Sequence, residues 1–175
     1  VALVSCAQAP FDVIGVVEPG IIATKNALSD PNASVLILGT KATVNSKAYE
    51  NLLHQQGFTN TTAKATGLFV PIIEEGLFEG EILESTMHHY FGNLDCPDGI
   101  ILGCTHFPLI SEAIANFFDN KSILIHSGEA IVEHLEAQYA FTHKHPHPKL
   151  KFFASENPKA LRSTSRKWLN LPDEI

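Results

Sequence analysis

The sequence predicts an α/β chain built on a parallel sheet, and three features point there. Short unbroken apolar runs, Val35-Leu-Ile-Leu38 and Ile100-Ile-Leu102, suit strands buried on both faces. Strand-like and helix-like segments alternate five times along the chain. Both apolar runs end in glycine followed by a small polar residue, Gly39-Thr40 and Gly103-Cys104-Thr105, as strand-to-helix bends do. Glycine is common in such bends everywhere, so the echo between the two says little by itself.

Taken in order, residues 1–9 read as the end of a helix stopped by Pro10, and residues 13–17 as a first strand. Glu18-Pro19-Gly20 opens a helix to about Leu28, Asp30-Pro31 is a turn, and residues 34–38 form the second strand. A helix over residues 43–56 is ended by Gly57. Residues 61–66 form a weaker, β-branched strand leading to Gly67-Leu-Phe-Val-Pro71 and Glu74-Glu75, with the helical stretch broken near Gly80. Residues 81–91 continue helical, 93–99 make a polar loop, and 100–102 are the central strand. Pro108 suits the first turn of a helix continued by Leu109, Ile110, Ala113, Ile114 and Phe117. Residues 122–125 form another strand, 126–128 its bend, and 129–139 an amphipathic helix. His143, His145 and His147 alternate with prolines, which scatter ligands, so residues 142–148 read as a solvated loop rather than a metal site. A strand over 149–154 and a helix over 158–169, packed down by Trp168, close the chain.

At 175 residues there is length for one domain or two small lobes. Twelve lysines and arginines against nineteen aspartates and glutamates give −7, which argues against nucleic acid or an anionic membrane as partner. No apolar stretch approaches the ~20 residues of a membrane span, and residues 1–10 lack a secretory signal. Three cysteines do not make a disulfide framework, so the economical expectation is a soluble, reduced, cytoplasmic protein.

The chemistry gathers at Cys104, Thr105 and His106, between a strand's carboxyl end and a helix's amino end. Open α/β sheets place ligands at that edge, and free amides there hold anions. Lowering a thiol from about 8.5 to about 7 needs roughly 2 kcal/mol. A helix terminus supplies ~0.3–1 kcal/mol, up to ~2, so His106 becomes the second helper toward a thiolate at Cys104. The same residues also read as a small buried cysteine beside a satisfied histidine.

Residues 102–109, Leu-Gly-Cys-Thr-His-Phe-Pro-Leu, resemble the second catalytic-cysteine motif of bacterial glutamate racemases. Related aspartate racemases usually have glutamate where His106 stands. Gly15-Val-Val-Glu-Pro19, Leu38-Gly-Thr-Lys-Ala-Thr43 with Ser46 and Tyr49, Val70-Pro-Ile-Ile-Glu-Glu75 and Ile125-His-Ser-Gly128 match in the family's order. The resemblance implies a flavodoxin-like lobe of a two-lobed fold. It also implies cofactor-independent interconversion of L- and D-glutamate, supplying D-glutamate for peptidoglycan, with no metal. In that chemistry one base and one acid flank the α-carbon, and thiols suit both roles. Cys104 would take the proton from L-glutamate, and Thr105 and His106 would contact substrate. Glu74 would stand beside His106, and Thr40 and Thr43 would bind the substrate carboxylate. Read from the residues alone, Glu74 is rather a helix-start carboxylate complementing the dipole.

The family's Asp-Ser-Gly strand end, Tyr-Gly pair and Cys-Asn-Thr tripeptide, which carries the first catalytic cysteine, are absent from these 175 residues. Cys6 is no substitute: eight residues separate it from Gly15, too few for a parallel crossover, which places it on the opening helix. The expectation is a racemase lacking roughly its first 70–80 residues, a length estimated from a one-domain half. Residues 1–12 would be a remnant of the first lobe, 13–125 the second lobe with half the site, and 126–175 the return to the first. Such a chain should be inactive alone, with exposed apolar surface on its tail. A homodimer stays open. The rival readings are a racemase for another acidic amino acid or a related decarboxylase, a cysteine-dependent hydrolase, and a truncated, non-catalytic lobe.

Overall fold

The computed structural model describes residues 13–139, together with Phe153, Lys159, Arg162 and Ser165. Two compact units are distinguished, Val1–Gln138 and Tyr139–Ile175. In the first, four strands form one sheet: β1 Val35–Gly39, β2 Thr61–Ala65, β3 Gly99–Leu102 and β4 Ile123–His126. Their order is β2-β1-β3-β4 and every pairing is parallel.

The apolar runs behave as their composition requires. All residues of β1 and β3, the two central strands, are buried. Period-two alternation sends Leu36, Leu38, Ile100 and Leu102 into one core with Phe69, Phe91 and Phe107. Val35, Ile37, Ile101 and Ile125 enter a second core on the other face with Ile21, Tyr49 and Leu53. Helices cover both faces: α1 Val17–Ala27 and α3 Ala48–Gln55 lie over the second core. The first core is covered by α4 Phe69–Glu74, α5 Glu81–Phe91 and α6 Ser111–Phe117. This is the expected α/β class with its flavodoxin-like strand order.

At the amino edge, Asp98 Oδ2 accepts from the Ser34 amide (2.7 Å) and hydroxyl (2.8 Å), tying the entries of β1 and β3 together. The short α2, Lys41–Ser46, links β1 to α3, and α7, Ser127–Gln138, packs on α1.

The structure corrects three expectations. Residues 13–17 form no strand: 13–15 are irregular, Val16 is a bend and α1 starts at Val17. A strand has no hydrogen bonds of its own, and neither edge of the sheet, β2 or β4, takes this segment as a neighbour. Val13 and Val16 accordingly stand 49% and 48% exposed. The helix expected over 43–56 is two, broken where Lys47 adopts a left-handed conformation (φ 52°). Ser46 reinforces the break, its hydroxyl donating to the Thr43 carbonyl and accepting from the Ala48 amide. Phe153 lies in neither helix nor strand, so the strand expected at 149–154 does not include it. It is 86% exposed, and Lys159, Arg162 and Ser165 are helical as expected. The opening helix with Cys6, the histidine-rich segment 142–148 and Trp168 lie outside the described residues.

Candidate active site

The sheet order creates the site. From β1 the chain crosses to β2 on one side, while β3 pairs on the other, so the strand order reverses at the carboxyl ends of β1 and β3, the position at which open α/β sheets bind ligands. Thr40 and Cys104 follow those ends directly or after one glycine.

The bends are tight because the backbones nearly touch. Gly103 donates to the Leu38 carbonyl at 2.8 Å, and a Cβ on Gly103 would lie 2.8 Å from that same oxygen. A Cβ on Gly39 would lie 2.9 Å from the Thr43 side chain. Glycine is therefore required at 103 for close approach rather than for an unusual φ.

Thr40 caps α2: its hydroxyl accepts from the Thr43 amide at 3.3 Å. Its oxygen also lies 3.1 Å from that of Thr43. One hydroxyl proton is used between them, which leaves one to donate to a ligand carboxylate. The Thr43 methyl would be 3.6 Å from a Cβ at Gly103, so both threonines share an edge with the cysteine bend.

After Gly103 the chain makes a turn, with the Phe107 amide donating to the Cys104 carbonyl at 3.1 Å. Phe107, fully buried, stacks edge-on against Phe69 of α4, ring centroids 5.8 Å apart. That packing brings the turn and α4 together. His106 Nδ1 lies 3.7 Å from Cys104 Sγ, and His106 Nε2 lies 3.4 Å from Glu74 Oε1. A thiol, an imidazole and a carboxylate stand in line. Thr105 is exposed on the same bend.

Two site expectations are revised. Glu74 is the last residue of α4, not a helix-start residue, so the dipole opposes its charge and His106 is its visible partner. Cys104 is not pushed toward thiolate. Burial raises its pKa above the ordinary thiol value, and the amides of His106 and Phe107 offset this only in part. The reason is geometric: Cys104 is followed by a four-residue 3₁₀ turn, Phe107–Ile110, and α6 begins only at Ser111. No full helix terminus faces the sulfur.

Sequence reasoning assigned no role to Tyr49 and Ser127, which meet beneath this bend at 3.1 Å. They are 78 positions apart, and no local signal pairs them. Among the described residues, no group of three or more histidines, cysteines or carboxylates is placed to hold a metal, and no helix is long and apolar enough to cross a membrane.

Fold and site together define an open parallel α/β lobe that presents a cysteine with an imidazole and a carboxylate behind it at the sheet's switch point. The chain belongs to the Asp/Glu/Hydantoin racemase family, whose sequence model matches residues 7–135. It is 54% identical over 162 residues to the glutamate racemase of a Nitratiruptor species, covering 93% of this chain and 64% of that protein. With the Campylobacter jejuni glutamate racemase it shares 48% identity over 165 residues, covering 94% and 66%. The crystal structure of glutamate racemase from Campylobacter jejuni subsp. jejuni superposes with a TM-score of 0.90, covering 94% of this chain and 66% of that one. The Francisella tularensis enzyme, solved with D-glutamate, superposes at 0.74 with 28% identity, covering 93% and 61%. The chain thus spans 64–66% of the length of these two curated relatives.

Proposed function

We propose that this chain supplies one half of a two-base site that inverts the α-carbon of glutamate without a cofactor. The observation that carries the reading is the alignment Cys104–His106–Glu74, with contacts of 3.7 and 3.4 Å, at the carboxyl edge of the sheet. Cys104 faces one side of the α-carbon. Protonated at rest, it delivers its proton to the carbanion formed when a base on the opposite face removes the α-proton, and is left as thiolate beside the amides of His106 and Phe107. In the reverse direction that thiolate takes the proton from L-glutamate. His106, oriented by Glu74, and Thr105 hold substrate, and the free hydroxyl proton of the Thr40–Thr43 pair goes to its carboxylate.

The opposite base is not among the side chains described, and we propose that it comes from the family's Cys-Asn-Thr segment, which these residues do not include. Residues 13–138 are then the lobe with this half-site, because β4 runs to His126 and α7 packs on α1, and residues 1–12 and 139–175 are assigned to the complementary lobe, which moves the expected boundary at 125/126 to the end of α7. The product D-glutamate would feed peptidoglycan synthesis. A cytoplasmic setting accords with Cys96 and Cys104, both free thiols.

Exchange of the glutamate α-proton in D₂O tests this with the full-length gene product. Deuterium should enter the α-position, and Cys104→Ser should cut the rate by about 10²-fold or more, the usual worth of a positioned acid or base. Glutamate unlabelled by the intact protein overturns the reading, and so does labelling of aspartate in its place. The same line of three side chains would also serve a cysteine-dependent hydrolase; an acyl group trapped on Cys104 by an activated ester would favour that alternative.

A further inference from the structure

Beneath the cysteine bend, three groups from three elements form a buried chain. The Leu102 carbonyl, at the end of β3, accepts from the Ser127 hydroxyl at 3.1 Å. Ser127, first residue of α7, lies 3.1 Å from the hydroxyl of Tyr49 on α3. A carbonyl only accepts, and Ser127 has a single proton to give, so the direction is determined: Tyr49 donates to Ser127, and Ser127 donates to Leu102. Both side chains are buried, Tyr49 at 3% and Ser127 at 9% exposure, and burial raises the Tyr49 pKa, which keeps its donor proton in place.

The tyrosine ring does a second job. A Cβ at Gly103 would lie 3.3 Å from its Cε2, and a Cβ at Gly20 would lie 3.4 Å from its Cε1. The ring therefore fills the space between α1 and the residue immediately preceding Cys104. Ser127 holds Leu102 through its carbonyl and the Tyr49 ring lies beside Gly103, so the two residues leading into the cysteine are bounded by two hydrogen-bonded side chains.

We propose that Tyr49 is a positioning residue for Cys104, acting through Ser127 and the Leu102 carbonyl to hold the sulfur against the His106 and Phe107 amides. This rests on the acid/base reading of Cys104 given above. Tyr49 touches neither the sulfur nor, in that reading, the substrate. Its effect is on where the bend leaves the sheet. Among the described residues, the titratable groups in line with Cys104 are His106 and, behind it, Glu74, and neither belongs to the buried chain.

The test is the pH dependence of iodoacetamide alkylation, read separately at each cysteine by peptide mass spectrometry on the 175-residue chain. Cys96 is an internal reference. It lies at the sheet's other edge, its sulfur 3.5 Å from the Ser122 hydroxyl, outside the buried chain. Tyr49→Phe keeps the ring and removes the donor, and Ser127→Ala removes the link. Each should raise the alkylation midpoint of Cys104 by about half a unit, slowing the reaction about threefold at pH 8, because the amides no longer face the thiolate squarely. Cys96 should be unchanged, and Ser127→Thr, which restores the hydroxyl, should recover the Cys104 midpoint. An unshifted Cys104 midpoint in Tyr49→Phe overturns the proposal. A parallel change at Cys96 does so too, since it marks general loosening. Failure of the racemase reading would look different: Cys104 would still depend on Tyr49, while glutamate gained no deuterium.

Discussion

Cys104 is half-buried beside an imidazole, and its burial outweighs the two amides that favour its anion. Its alkylation profile should therefore have a midpoint above that of a free thiol, as a rate series from pH 7 to 10 would show. The sign for stability follows. With a folded pKa above the unfolded value, Cys104 contributes stability that is complete below about 8.5 and declines as pH rises through the folded pKa. Thr66 poses a different problem. Its hydroxyl is buried at the end of β2 with no hydrogen-bond partner among the described residues. Leaving such a group unpaired costs about 1–3 kcal/mol, so Thr66→Val should match or exceed the parent in urea unfolding by about 1 kcal/mol. A loss of stability would mean that the hydroxyl finds a partner in solution.

Among the elements, the turn after β3 depends most on one residue. Gly103→Ala places a methyl 2.8 Å from the Leu38 carbonyl, and backbone cannot step aside as a flexible side chain would. The variant should lose about 1–3 kcal/mol in denaturant unfolding and lose the native Cys104 alkylation profile as well. How this bend would be built was readable from Ile100-Ile-Leu-Gly-Cys-Thr-His, because an apolar run, a glycine and a Pro-containing turn act locally. The state of its sulfur was not. That depended on whether α6 starts at the bend or seven residues after Cys104, at Ser111, and on how much neighbouring chain covers the thiol. The break at Lys47 was equally hidden, since residues 43–56 carry no glycine or proline to announce it.

At the scale of the whole molecule, the amino edge of the sheet is sewn by Asp98 and Ser34, while Thr40 and the cysteine bend stand at the carboxyl edge. Hydrogen bonds from Ser34 hold the Asp98 carboxyl below its ordinary pKa. A depressed carboxylate contributes stability above its unfolded pKa, near 3.9, and loses it as pH falls through the folded value. Asp98→Asn should thus unfold with a shallower dependence on pH below about 4, seen in thermal melts between pH 2 and 6. An unchanged acid limb would remove Asp98 from that role. The carboxyl edge has no such clasp across β1 and β3 among the described residues. The threonines and the cysteine bend line that edge.

Read without coordinates, the chain already declares its parallel α/β class, the glycine bends, the family motif at Cys104 and the residues around it. These are written in short-range patterns of apolar run, breaker and polar residue. Whether a given apolar run becomes a strand is another matter. Residues 13–17 have the composition of one and stay unpaired, because hydrogen bonds between strands come from a neighbour rather than from the segment itself. The ionisation of Cys104, the pairing of His106 with Glu74 and the link from Tyr49 through Ser127 to Leu102 likewise arise only in three dimensions. Each joins elements distant along the chain, and desolvation and long-range hydrogen bonds leave no mark on local composition.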